Sequence, residues 1–145
     1  MTGSIFAIDL GTPVQFINVY LGPSLGWALL PIQPELVINT PGALVVPAFA
    51  SRILLNAAGV SPITLPSVAQ WMTAQSANGV VKNLAAFDRS IWIKDLIGAA
   101  SAGSPIVINP SGTDTVDGLS SRQMITAFEV VKLFPLTSLE GWYVG

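Results

Sequence analysis

Between Leu10 and Pro34 the chain carries no charged residue, yet Pro13, Pro23, Pro31 and Pro34 and Gly11, Gly22 and Gly26 interrupt it. An apolar run of that length is enough for a membrane helix. Proline, however, removes a backbone donor and clashes with the preceding turn, and a spanning helix must satisfy every backbone group within itself. The run is therefore expected to be extended segments between turns. The predicted strands of the first half are 5–8, 14–21, 27–30, 36–38 and 44–46. Within 14–21, Phe16, Asn18 and Tyr20 alternate with Gln15, Ile17 and Val19 without a clean polar face. That pattern suits a strand covered on both sides. The opening Met-Thr-Gly-Ser-Ile-Phe lacks the basic region of a signal peptide, so none is expected.

The scarcity of charge extends beyond this run. The chain has 145 residues, long enough for one domain with a real core. Charged residues make up 10% and hydrophobic ones 51%, against about 25% charged in ordinary soluble domains. A lone monomer of this composition would struggle to cover itself with polar groups. An oligomer, a subunit of a larger assembly or a membrane contact is expected instead. The deficit is local: residues 1–51 contain only Asp9 and Glu35. The net charge is −2, and the six basic residues Arg52, Lys82, Arg89, Lys94, Arg122 and Lys132 are scattered. Without a basic patch, nucleic-acid binding is not expected.

The chain has no histidine and no cysteine. That removes imidazole acid–base chemistry, Ser-His-Asp and Cys-His arrangements, ordinary zinc, haem and iron–sulfur sites, and disulfides. Acid chemistry would rest on Asp9, Glu35, Asp88, Asp95, Asp114, Asp117, Glu129 and Glu140.

After residue 50, strands are predicted at 52–55, 62–65, 90–93, 105–108, 124–127, 129–134 and 142–144 from their β-branched and aromatic content. One helix is predicted over 67–77. Ser67 is its candidate N-cap, Val68, Trp71, Met72 and Gln75 fall at helical spacing, and Asn78-Gly79 would end it. The expected fold class is all-β: a compact β-sandwich, barrel or prism-like module over 51–145, with an extended apolar arm or assembly segment over 1–50. Ser61-Pro62-Ile63-Thr64-Leu65-Pro66 is echoed by Ser104-Pro105-Ile106-Val107-Ile108-Asn109-Pro110, which suggests two similar strand-to-turn corners.

The most distinctive stretch is 91–118. Lys94-Asp95 leave a strand, Gly98 allows a reversal, Ile106 and Ile108 share a face, and Pro110-Ser111-Gly112 forms a turn. Asp117-Gly118 is a strong hairpin signal. This stretch resembles a β module of structural proteins from tailed bacteriophages. There a strand ending Ile-Lys-Asp and a nearby glycine precede an Ile-x-Ile strand, a Pro-x-Gly-x-Asp-x-Ile-Asp-Gly corner, two strands and a final Gly-x-Trp-Tyr-x. The matching elements are Ile93-Lys94-Asp95, Gly98, Ile106–Ile108, Pro110–Gly118 and Gly141-Trp142-Tyr143-Val144, with Ile63-Thr64-Leu65-Pro66 as the opening strand. The resemblance covers about residues 60–145 and departs at Phe128–Pro135, where a more polar strand and turn are usual. It implies a non-enzymatic virion building block, commonly trimeric, without a cofactor.

The expected function is thus a capsid decoration (cement) protein. It would sit on the virion as a homotrimer and stabilise the head through contacts with the major capsid protein. A tail-fibre, head-fibre or receptor-binding knob component is the alternative, and a cell-wall hydrolase the weakest reading. No catalytic, metal or cofactor-binding residue is assigned, and neither nucleic acid nor membrane is an expected partner. Assembly contacts are expected at Phe16, Tyr20, Trp27, Leu29 and Leu30, because burying such side chains is worth about 25 cal/mol per Å² only where something covers them. Asp114 and Asp117 could hold calcium, but acceptance of backbone hydrogen bonds in turns is the favoured role. Asp88 with Asp95, or Asp114 with Asp117, could form a glycosidase-like pair. Trp27, Trp71, Trp92 and Trp142 are expected in core or interface rather than on sugars. Lys94-Asp95 is expected to be a local surface ion pair. Gly11, Gly22 and Gly26 are not followed by the Gly-Lys-Ser/Thr of a phosphate loop.

Overall fold

The computed structural model describes residues 6–9, 15–20, 23, 27–32, 35–48, 50–76, 90–136, 138 and 140–145. The fold is mostly β, with a single short helix among the described residues. Three strands, β1 (Phe6–Asp9), β2 (Gln15–Tyr20) and β3 (Trp27–Ile32), form an antiparallel meander. Its segments are the proline-punctuated ones of the first half, and the punctuation falls between the strands except at Pro31, which lies inside β3.

Next come β4 (Glu35–Ile38), β5 (Leu44–Val45), β6 (Arg52–Leu55), β7 (Ile63–Thr64), α1 (Val68–Ser76), β8 (Ile91–Asp95) and β9 (Ile106–Asn109). The six strands alternate between two sheets. β4, β6 and β8 lie side by side and parallel in one, and β5, β7 and β9 do the same in the other. The chain therefore winds three times between the sheets. The last strands close one end of this winding. β11 (Arg122–Met124) pairs antiparallel with β9, and β12 (Val130–Pro135) pairs antiparallel with β8. β13 (Gly141–Val144) joins β12, and β10 (Thr115–Val116) joins β13 in parallel. The result is a six-stranded sheet, β10-β13-β12-β8-β6-β4, and a four-stranded sheet, β11-β9-β7-β5.

The division expected at residue 50 does not mark where these sheets begin. β4 and β5 belong to them, and Val46 and Ala50 lie in the core. Parallel pairing, which sequence periodicity does not reveal, is what draws residues 35–38 and 44–45 in. The echo at 61–66 and 104–110 becomes neighbouring strands: Ile63 stands beside Ile108 and Thr64 beside Asn109.

Alternation decides which side chains are buried. Leu36, Ile53, Ile93 and Val131 form one inward row across the six-stranded sheet, and Ile38, Leu55 and Asp95 form the next. Ile63, Ile108 and Met124 from the other sheet enter the same buried cluster. α1 adds Val68 and Trp71, with Met72 at the edge, as the helical spacing requires. Ser67 caps the helix as expected: its Oγ accepts the Gln70 N–H at 3.1 Å, and the Gln70 Oε1 accepts the Ser67 N–H at 3.3 Å. The expected stop at Asn78-Gly79 lies outside the described residues.

The predicted Asp117-Gly118 hairpin forms. Val116 and Leu119 exchange two backbone hydrogen bonds of 2.9 Å around residues with φ of 52° and 76°. Both central residues are left-handed, the geometry of a type I′ turn, which Gly118 adopts without steric cost. The strand predicted at 124–127 is displaced to 122–124. Residues 125–129 turn instead, because Phe128 has φ of 61° and the Glu129 carboxylate accepts the Ile125 and Thr126 N–H groups.

β10 approaches β13 closely at Gly141. A Cβ built there would lie 2.6 Å from the Thr115 carbonyl oxygen and 2.8 Å from its Oγ1. Gly141→Ala must separate the two strands, at an expected cost of about 1–3 kcal/mol. A thermal melt with an unchanged midpoint would refute the contact.

Candidate functional site

Asp95 organises one corner of the molecule. It ends β8 on the inward row and is fully buried, so an ionised carboxylate there is stable only with full hydrogen bonding. The chain supplies that from backbone alone. Oδ1 accepts the Ile97 and Gly98 N–H groups at 3.3 and 3.0 Å, and Oδ2 accepts those of Ala100 and Phe128 at 3.0 and 3.2 Å. Burial pushes the carboxyl pKa up, but the backbone donors outweigh it and hold the group below the ordinary carboxylate range. Two loops, 96–100 and 125–129, are thereby tied to one side chain. They and the adjoining Val130 display Leu96, Ile97, Ile125, Phe128 and Val130 exposed.

This geometry corrects the ion pair expected at Lys94-Asp95. Successive strand residues point to opposite faces, so Asp95 turns inward and Lys94 outward. The Lys94 ammonium donates to the Phe128 carbonyl instead. The ion pairs among the described residues are Arg52–Glu35 at 3.8 Å and Arg122–Glu129 at 3.5 Å.

The Asp114 and Asp117 carboxylates also engage backbone. Asp114 Oδ2 accepts the Val68 N–H at 2.8 Å, at the first turn of α1, which ties the Pro110–Gly118 corner to the helix. Asp117 Oδ1 accepts the Val144 N–H at 3.2 Å. Both accept backbone hydrogen bonds, but from residues 46 and 27 positions away rather than from their own turns. Among the described residues no group of three or more His, Cys, Asp or Glu could hold a metal ion. Asp88 lies outside the described residues. No described helix is long and apolar enough to cross a membrane.

The tryptophans divide. Trp71 and Trp142 are core residues packed edge to face, with ring centroids 5.5 Å apart. Trp92 lies half-buried on the outer face of the six-stranded sheet, and its Nε1 donates to Ser90 Oγ at 2.8 Å. The expected assembly residues fall in the meander. Tyr20 stands opposite Trp27, Leu29 opposite Asn18, Leu30 opposite Ile17 and Phe16 opposite Pro31. Their side chains lie outside the described residues.

Two surfaces escaped the sequence reading. One is the outer face of the six-stranded sheet, where Arg52, Trp92 and Lys132 occupy one row and Leu54, Lys94 and Val130 the next. Their alternation with buried Ile53, Ile93 and Val131 was a usable signal. The other is a largely apolar groove of about 710 Å³ between α1 and the edge of the four-stranded sheet, lined in part by Val45, Leu65, Pro66, Ala69 and Thr73. No family model matches the chain, and no curated protein or solved structure matches it.

Proposed function

We propose that this chain is a structural, non-enzymatic protein of a tailed-phage virion. It would be a capsid decoration protein that assembles as a homotrimer on the major capsid protein and stabilises the head. The observation that carries the reading is the placement of charge. The meander, residues 6–32, contains one charged residue, Asp9, in a separate three-stranded sheet. A sheet so small has little stability of its own, and one so poor in charge costs little to desolvate. Both properties suit a surface covered by neighbouring subunits. The phage-like signature supports the same reading, since its residues coincide with the turns that shape the module: Asp95 at one corner, and Gly112, Asp117 and Gly118 at another. In this reading the six- and four-stranded sheets face each other as a sandwich.

The copy number per virion tests it, measured by quantitative mass spectrometry. Hundreds of copies are expected for a coat component, whereas a few tens or fewer would replace it with the fibre or receptor-binding-knob reading. Deleting residues 2–30 is expected to abolish attachment while leaving a folded core. Full occupancy of expanded capsids by the truncated protein would exclude the meander as the attachment element.

A further inference from the structure

We propose that the outer face of the six-stranded sheet binds an acidic polypeptide segment in which carboxylates alternate with apolar side chains. The chain as a whole is acidic, with a net charge of −2. Yet Arg52, Lys94 and Lys132, three of the four described basic residues, project from this one face. A groove of about 320 Å³ opens here, lined by Glu35, Arg52, Leu54, Trp92, Lys94 and Val130. Leu54 and Trp92 give apolar surface at the positions between Arg52 and Lys94, and Val130 adds to it on the far side of Lys94. Glu35 is the one acidic residue in the lining. It meets Arg52 at 3.8 Å with both side chains about half exposed, a loose pair that a better-placed carboxylate can displace.

The pattern matches an extended peptide. Same-side residues along a strand recur about every 6.7 Å and neighbouring strands lie about 4.8 Å apart. Arg52 and Lys94 are one strand and two residues apart in register, so an acidic side chain at every second position can reach each in turn. Ligands that need an open ring face fit less well. The Lys132 ammonium lies 4.5 Å from the Trp92 ring centroid, so a sugar or a base stacking on Trp92 must compete with it. A second copy of this chain lacks the complement: no two of its eight carboxylates stand two positions apart in the sequence, so none of its segments presents acidic side chains at every second position. The partner is therefore a different polypeptide. This goes beyond the virion reading and does not depend on it.

The test is calorimetric titration of the full chain with a blocked Glu-Leu-Glu-Leu-Glu-Leu peptide, beside its Gln-Leu counterpart. Saturable binding of the acidic peptide alone is expected, weakened about tenfold or more by the double substitution Arg52→Gln, Lys94→Gln. Both positions project outward, and circular dichroism checks that the variant is folded. Glu35→Gln is expected to tighten binding, since it removes the carboxylate that competes for Arg52. Absence of binding, equal binding of the Gln-Leu peptide, an unaffected double variant or weaker binding by Glu35→Gln would each overturn the proposal.

Discussion

Asp95→Ala is expected to lower the stability of the chain by about 3–5 kcal/mol. The substitution removes a buried acceptor and leaves four backbone N–H groups without it, at Ile97, Gly98, Ala100 and Phe128. Asp95→Asn is nearly isosteric but turns an amide toward two of those donors, so it recovers only part of the loss. Guanidinium denaturation of both variants measures the effect, and a loss under about 1 kcal/mol for the alanine variant would show that the carboxylate is not the tie between the loops. The same group makes stability depend on acid. Its folded-state pKa is depressed, so its contribution is complete above the unfolded carboxyl value, about 3.9. That contribution is lost as pH falls through the lower folded value. Asp95→Asn is therefore expected to flatten the acid limb of the stability profile below about pH 4.

The second large effect lies in the paired core tryptophans. Trp71→Ala or Trp142→Ala opens a cavity in a closed cluster, at an expected cost of about 3–5 kcal/mol. The phenylalanine substitutions separate the two rings. Trp71 Nε1 donates to the Ala50 carbonyl at 2.9 Å, so Trp71→Phe loses volume and strands a buried acceptor. Among the described residues Trp142 Nε1 is buried without a partner, so Trp142→Phe loses volume but relieves an unsatisfied donor. Trp71→Phe is expected to be the costlier by about 1 kcal/mol. Equal midpoints in urea would mean that the Trp71–Ala50 bond contributes nothing.

Much of the fold was legible because local rules govern it. Proline and glycine separate the strands of the first half except at Pro31, which β3 runs through, and β-branched runs gave β6, β8, β9, β12 and β13 to within two residues. Ser67 with Gln70 started the helix, and Asp117-Gly118 made the hairpin, since each needs only near neighbours. Asp95 shows where such rules stop. An Asp beside a Lys at a strand end reads as surface charge, and only the N–H groups of Gly98 and Ala100 and of distant Phe128 make it a core residue. The cationic outer face was hidden for the same reason. Arg52, Lys94 and Lys132 lie far apart in the chain, and strand pairing brings them together.

The sequence by itself determined that this protein is β-rich, poor in charge along its first third, and without histidine or cysteine chemistry. Those properties follow from residue type and near-neighbour geometry. Only the tertiary structure decided that residues 35–38 and 44–45 belong to the two sheets, that corresponding strands of successive windings run parallel, and that Asp95 faces inward. Parallel pairing joins segments separated by a whole winding, and its hydrogen bonds are made by backbone that every residue shares. Residue type records which face of a strand is buried, while the partner of that strand is fixed only when the core closes.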